Sequence, residues 1–154
     1  MRTTTNKLIG LLVLAGWCGA ALASAPAFKG EPPVPQHVEA PAPSMAADPV
    51  AYKKDAARHI YASYAPQIRK GKLEPLLYGI AIVETELDEQ GNVVSVNILR
   101  PPAAPEVGPW ISKMIWKASP LPAPARLGPS RFTEIWLVER AGTFQLDTLS
   151  EGQR

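Results

Sequence analysis

Apolar and polar positions alternate most clearly between Tyr78 and Pro102. Residues 79–87 and 93–99 are two runs rich in β-branched side chains, separated by Asp88-Glu89-Gln90-Gly91-Asn92, a polar loop whose glycine can take φ > 0. In the first run Ala81, Val83 and Leu87 share a face with Thr85, while Glu84 and Glu86 point the other way. In the second, Val94, Val96 and Ile98 oppose Ser95 and Asn97. The spacing predicts a β-hairpin with one apolar face. Two strands alone are marginal in water, so helices must cover that face.

The same pattern predicts a helix on each side. Asp48 as N-cap and Pro49 at the first helical position begin one. Val50, Ala57, Ile60, Tyr61, Tyr64 and Ile68 then recur at roughly helical spacing, leaving Lys53, Lys54, Asp55 and Arg58 to water. Pro66 ends this helix near Ala65, and Arg69, Lys70 and Lys72 read as cations at a solvated helix end. After the hairpin, Val107, Ile111, Met114, Ile115 and Ala118 predict a second helix from about Pro105 or Pro109 to Ala118, with Trp110 and Trp116 as core or rim. The run Ser119-Pro120-Leu121-Pro122-Ala123-Pro124 stops it and imposes an extended crossing. Phe132, Thr133, Glu134, Ile135, Trp136, Leu137 and Val138 form a third strand by β-propensity, and the intervening helix favours a crossover that lays it beside the first. A turn at residues 140–143 leaves Phe144, Leu146 and Leu149 for a short fourth strand, with residues 150–154 as a frayed tail. The expected class is α+β: a three-stranded antiparallel sheet, with that short fourth strand, packed by two helices.

Composition changes the picture mainly at the N-terminus. Residues 1–7 carry two cations and no acid, residues 8–22 are an apolar run, and Ala21-Leu22-Ala23 fits a small-x-small cleavage site, so residues 1–23 read as a secretory signal peptide. An uncleaved membrane anchor is the rival reading, set back by the shortness of the run and by Gly10, Gly16 and Gly19, since a span needs roughly 20 apolar residues. Acylation at Cys18 would want a small residue where Trp17 stands. Residues 24–47, with many of the chain's 17 prolines, read as an Ala/Pro-rich flexible tether, and residues 48–149 as the folded domain. Removal of Arg2 and Lys7 takes the net charge of +2 close to zero, which argues against nucleic acid and an anionic membrane surface as partners. Cleavage after Ala23 also removes Cys18, the sole cysteine, and with it thiol chemistry.

Candidate chemistry is sparse. His37 lies in the tether and His59 on the first helix, neither with a metal partner at ligand spacing, and no glycine-rich phosphate loop or locally supported Ser-His-Asp set is present. Glu84, Glu86, Asp88 and Glu89 are the only dense carboxylates, and they lack the alternation of a calcium loop. An enzyme, a cofactor and a metal site are therefore not expected, although a non-local catalytic set in an unrecognised periplasmic enzyme stays open as an alternative class.

Taken in order, residues 83–100, the proline-rich exit at residues 118–124 and Tyr64-Ala65-Pro66 before the first strand resemble the C-terminal domain of TonB and its TolA-like relatives. The likeness covers about residues 64–138. It implies a periplasmic domain of a Gram-negative bacterium whose last strand offers its edge to a short segment of an envelope protein, an outer-membrane transporter or a secretion or Tol-like component. On that basis Phe132, Thr133, Glu134, Ile135, Trp136, Leu137 and Val138 would bind the partner by strand addition. Energy transduction and a weak homodimer belong to the same implication; a TolA-like scaffold subunit of an envelope-integrity or secretion complex is the alternative. Three features depart from the transducers: a cleavable and histidine-free apolar run, a short tether, and residues 142–149 continuing where a fourth strand would cover the edge.

Overall fold

The computed structural model describes Phe28, residues 31–36 and residues 40–153. The expected signal segment, residues 1–23, and His37 lie outside them. Asp48 begins helix α1 (Pro49–Ser63) by accepting the N–H groups of Val50 and Ala51 at 3.0 and 2.9 Å. A single 3₁₀ turn, Ala65–Gln67, follows at Pro66. Strands β1 (Gly79–Leu87) and β2 (Val93–Arg100) make the hairpin, helix α2 (Val107–Lys117) crosses over, and β3 (Ser130–Val138) returns beside β1. A short β4 (Phe144–Leu146) and a 3₁₀ turn (Asp147–Leu149) complete an α+β domain with a four-stranded antiparallel sheet in the order β2-β1-β3-β4.

The hairpin turn forms as its residues dictate. Asp88 accepts N–H groups from Gln90 and Asn92 at 2.9 and 2.8 Å, and Gly91 takes φ +85°. A Cβ at Gly91 would run into the Leu121 carbonyl oxygen, whose residue donates its N–H to Gly91 at 2.9 Å. The proline-rich exit is thus stitched to the hairpin tip, which needs a residue without a side chain there.

Both helices lie on one face of the sheet, α1 over β3 and α2 over β2. Val83, Leu87, Ile111, Met114, Leu121 and Trp136 are among the fully covered side chains of that core. The stripe on α1 is the expected one at Ala57, Ile60, Tyr61, Tyr64 and Ile68, but it is wider and differs at its start: Val50 is 80 % exposed, while Tyr52, Ala56 and His59 also point inward. Tyr52 and Tyr64 reach across the core to donate to the carbonyls of Pro122 and Met114 at 2.7 and 2.8 Å, and burial pushes the Tyr64 phenol up to about 12. In β2 the expected alternation breaks. Leu87 pairs with Val93 and Glu86 with Ser95, so Val94 is an extra residue bulged out to 55 % exposure, and a second bulge at Leu99 repeats the shift.

Two further expectations are corrected. The described parts of residues 24–47 are not a free tether but a strap on the helix layer. Phe28 packs 5.3 Å from Trp110 and 5.4 Å from Tyr78, the Gln36 N–H bonds the Ser63 carbonyl at 2.8 Å, and buried Ser44 exchanges backbone bonds with Ala123 and Ala125. Nor is the described tail frayed: Leu73 donates to the Gly152 carbonyl at 2.9 Å and bridges Gln153.

Candidate functional site

The seven residues expected to bind a partner all lie on β3, and the structure divides them. Trp136, Leu137 and Val138 are paired on both sides, with β1 through Ala81, Ile80 and Gly79, and with β4 through Leu146, Gln145 and Phe144. The fourth strand therefore removes the second half of the expected binding edge. Its grip is aromatic, Phe144 stacking on Trp136 at 4.9 Å between centroids, and it is clasped from outside where Ile68 bridges Phe144 and Arg69 donates to the Phe144 carbonyl at 3.0 Å. Phe132, Thr133, Glu134 and Ile135 have β1 on one side and, among the described residues, no strand on the other.

Which backbone groups this open half presents follows from the ladder. The Glu139 N–H bonds the Thr143 carbonyl at 2.8 Å at the mouth of the β3–β4 turn. In an antiparallel strand alternate residues bond to opposite sides, so Leu137, Ile135, Thr133 and Arg131 face outward and Trp136, Glu134 and Phe132 face β1. The Ile135 N–H is already taken by the Glu134 carboxylate at 2.9 Å. Arg131 and Thr133 keep free N–H and C=O groups among the described residues. About four added hydrogen bonds at roughly 1 kcal/mol each are worth about 4 kcal/mol, the scale of a millimolar complex, so side chains must supply the rest of any useful affinity.

Side chains are at hand. The open half of β3 lines a surface hollow of about 500 Å³ walled by Pro49, Val50 and Lys53 of α1, by Asp147 and Thr148 beyond β4, and by Glu84. Phe132 is buried against Tyr52, ring centroids 5.7 Å apart, and forms the floor. On the sheet face away from the helices Arg131 pairs with Glu86 at 2.8 Å and stands 3.8 Å from Glu84, while Ile80, Ile82, Ile135 and Leu137 make the other end of that face apolar. A chain segment laid beside Arg131 and Thr133 would meet an exposed valine and a cation on one side and an ion-paired polar surface on the other.

The second open edge belongs to β2. Ser95 and Asn97 pair with Glu86 and Glu84, so Val96 and Ile98 carry the outward groups, bounded by the bulges at Val94 and Leu99. Bulges of this kind blunt an edge.

The remaining polar clusters are spent on themselves. His59 bonds the Ala118 carbonyl at 2.9 Å through Nε2. Tyr78 donates to Glu106 beneath the Arg140 guanidinium, 4.5 Å from the ring; this bond raises the phenol and lowers the Glu106 carboxyl. Among the described residues no group of three or more His, Cys, Asp or Glu converges as metal ligands, and no helix is long and apolar enough to cross a membrane. Gln145, which sequence reasoning passed over, is buried and holds the β4 region together: its Nε2 donates to the carbonyls of Arg69 and Gly71 at 2.8 and 2.7 Å, and its Oε1 accepts from Ser150 and Glu151. Comparisons of the chain with protein-family models, with curated proteins and with solved structures gave no match.

Proposed function

We propose that the chain is an exported periplasmic protein-binding module of the TonB C-terminal and TolA-like type, which takes an extended segment of an envelope protein onto the open half of β3. The observation that carries this reading is the strand edge at Arg131 and Thr133, unpaired among the described residues and set in a hollow between α1 and the Asp147–Leu149 turn. Strand addition needs such an edge for its main-chain bonds and flanking side chains for selectivity. The element order, with the hairpin's first strand flanked by the last long strand, agrees with the fold that the resemblance implies. Pairing is confined to residues 131–135, so the partner segment is short. Energy transduction to an outer-membrane transporter is the fuller form of the reading and requires the strap to leave the helix layer under load.

A second reading, a scaffold subunit whose sheet is not extended, is favoured by β4 on Trp136 to Val138 and by the Glu134 carboxylate on the Ile135 N–H. Photo-crosslinking in the intact cell envelope separates the two. With the reactive side chain at Thr133, which projects from the sheet face, we expect one discrete envelope-protein adduct that is missing when it is placed at Lys54 on exposed α1 surface. Equal or absent labelling at both positions would leave the scaffold reading in possession.

A further inference from the structure

Where β4 ends, the chain leaves β3 for the Asp147–Leu149 turn, and the Glu134 side chain fills the corner between them. Glu134 is only 2 % exposed. Its Oε1 accepts the outward N–H of Ile135 at 2.9 Å and the N–H of Thr148 at 3.4 Å, and the Lys53 ammonium stands 3.6 Å away. Oε2 has no hydrogen-bond partner among the described residues, and neither has the buried Thr148 hydroxyl. An ionised carboxylate is costly to bury with one oxygen unpartnered, whereas the protonated carboxyl has no charge to desolvate.

We propose that Glu134 is a proton-dependent latch: protonated, it holds the Asp147–Leu149 turn against β3; ionised, it favours release of the turn, which widens the hollow beside Arg131 and Thr133 for a partner. The consequence for binding rests on the strand-addition reading; the latch itself rests on the corner. The titratable and charged groups around it are Lys53 and Tyr61 of α1 and Asp147 of the turn, with Glu84 of β1 and Arg131 of β3 on the rim of the same hollow. Burial pushes the Glu134 carboxyl up. The Thr148 hydroxyl, near but out of bonding geometry, opposes that rise together with the two N–H groups and Lys53.

The sign follows from which state holds the proton more tightly. With the turn docked the carboxyl is raised; with the turn released it is hydrated and titrates in the ordinary glutamate range. Acid therefore favours docking. As pH rises from the ordinary range to the raised value, release gains about tenfold per unit, and it is flat outside that window.

Amide exchange of the full chain by NMR, expressed as protection factors so that the intrinsic pH dependence divides out, reads the latch without any partner. We expect the protection of Thr148 and Ser150 to fall, at up to about tenfold per pH unit, as pH rises above the ordinary glutamate range while that of Val83 stays constant, and the Glu134 carboxyl carbon to titrate in the same window. In Glu134→Gln, whose side chain is uncharged at every pH, protection should be flat. Protection in the wild type that is independent of pH, or that falls on acidification, overturns the latch, as does a Glu134 titration in the ordinary range. The wild-type titration decides the matter even if the glutamine variant does not fold. Failure here leaves strand addition untouched, because that reading is decided by the Thr133 adduct.

Discussion

Gln145 shows how one side chain can set the limits of a site. It stands between Phe144 and Leu146 on a three-residue strand, and its amide joins two segments remote in sequence, residues 69–71 and 150–151. Replacement by alanine leaves buried carbonyl and N–H groups without partners, so Gln145→Ala should destabilise the domain by about 1–3 kcal/mol in urea unfolding. An unchanged midpoint would mean that the clasp contributes nothing. This role was not legible in the sequence, because a glutamine between two apolar residues announces only a strand, and its partners lie more than seventy positions upstream or a few downstream on a turn. The hairpin tip was legible for the opposite reason: Asp88, Gly91 and Asn92 satisfy one another locally, so the geometry is written in adjacent residues.

Among the elements, β3 carries the argument, and its alternation gives a paired test. The Thr133 N–H faces outward and the Phe132 N–H faces β1, so proline at the two neighbouring positions should have unlike effects. Thr133→Pro is expected to keep the fold, with a thermal midpoint near that of the wild type, and to lose partner binding. Phe132→Pro is expected to lose a ladder bond and core packing together, at roughly 3 kcal/mol or more. Equal destabilisation by both would show that the open half of β3 is not an edge. Element existence and order were readable from periodicity, including the crossover that brings β3 to β1. The start of the α1 stripe was not: Val50 and Tyr52 are both apolar enough to fit it, and only the position of Phe132 beneath the helix decides which faces in. The bulge at Val94 was equally hidden, since strict alternation in β2 fits the sequence as well as the shifted register does.

For the whole molecule, the proline-rich stretch changes from spacer to strap. Polyproline segments pay little entropy when docked because they are already extended, and a single aromatic anchor then suffices to hold one end. Phe28 is that anchor, wedged against Tyr78 and Trp110. In Phe28→Ala, limited proteolysis should cut the strap about fivefold faster, equivalent to roughly 1 kcal/mol of docking, with the domain itself still resistant. Equal cleavage rates would return the stretch to the role of a loose leader. Composition marks these residues as unable to build a core; that the described ones pack on the helix layer depends on tertiary contacts. The candidate site shares this limit, for the resemblance implied an edge on β3 but could not tell how much of it β4 would occupy.

The most direct test of the central claim is to compare envelope adducts from a photo-reactive side chain at Thr133 with those from the same group at Asn97, on the rival β2 edge. The account predicts a discrete adduct at Thr133 that disappears when a competing extended segment is added in excess, and little or none at Asn97. Labelling at Asn97 alone, or at neither position, would contradict it.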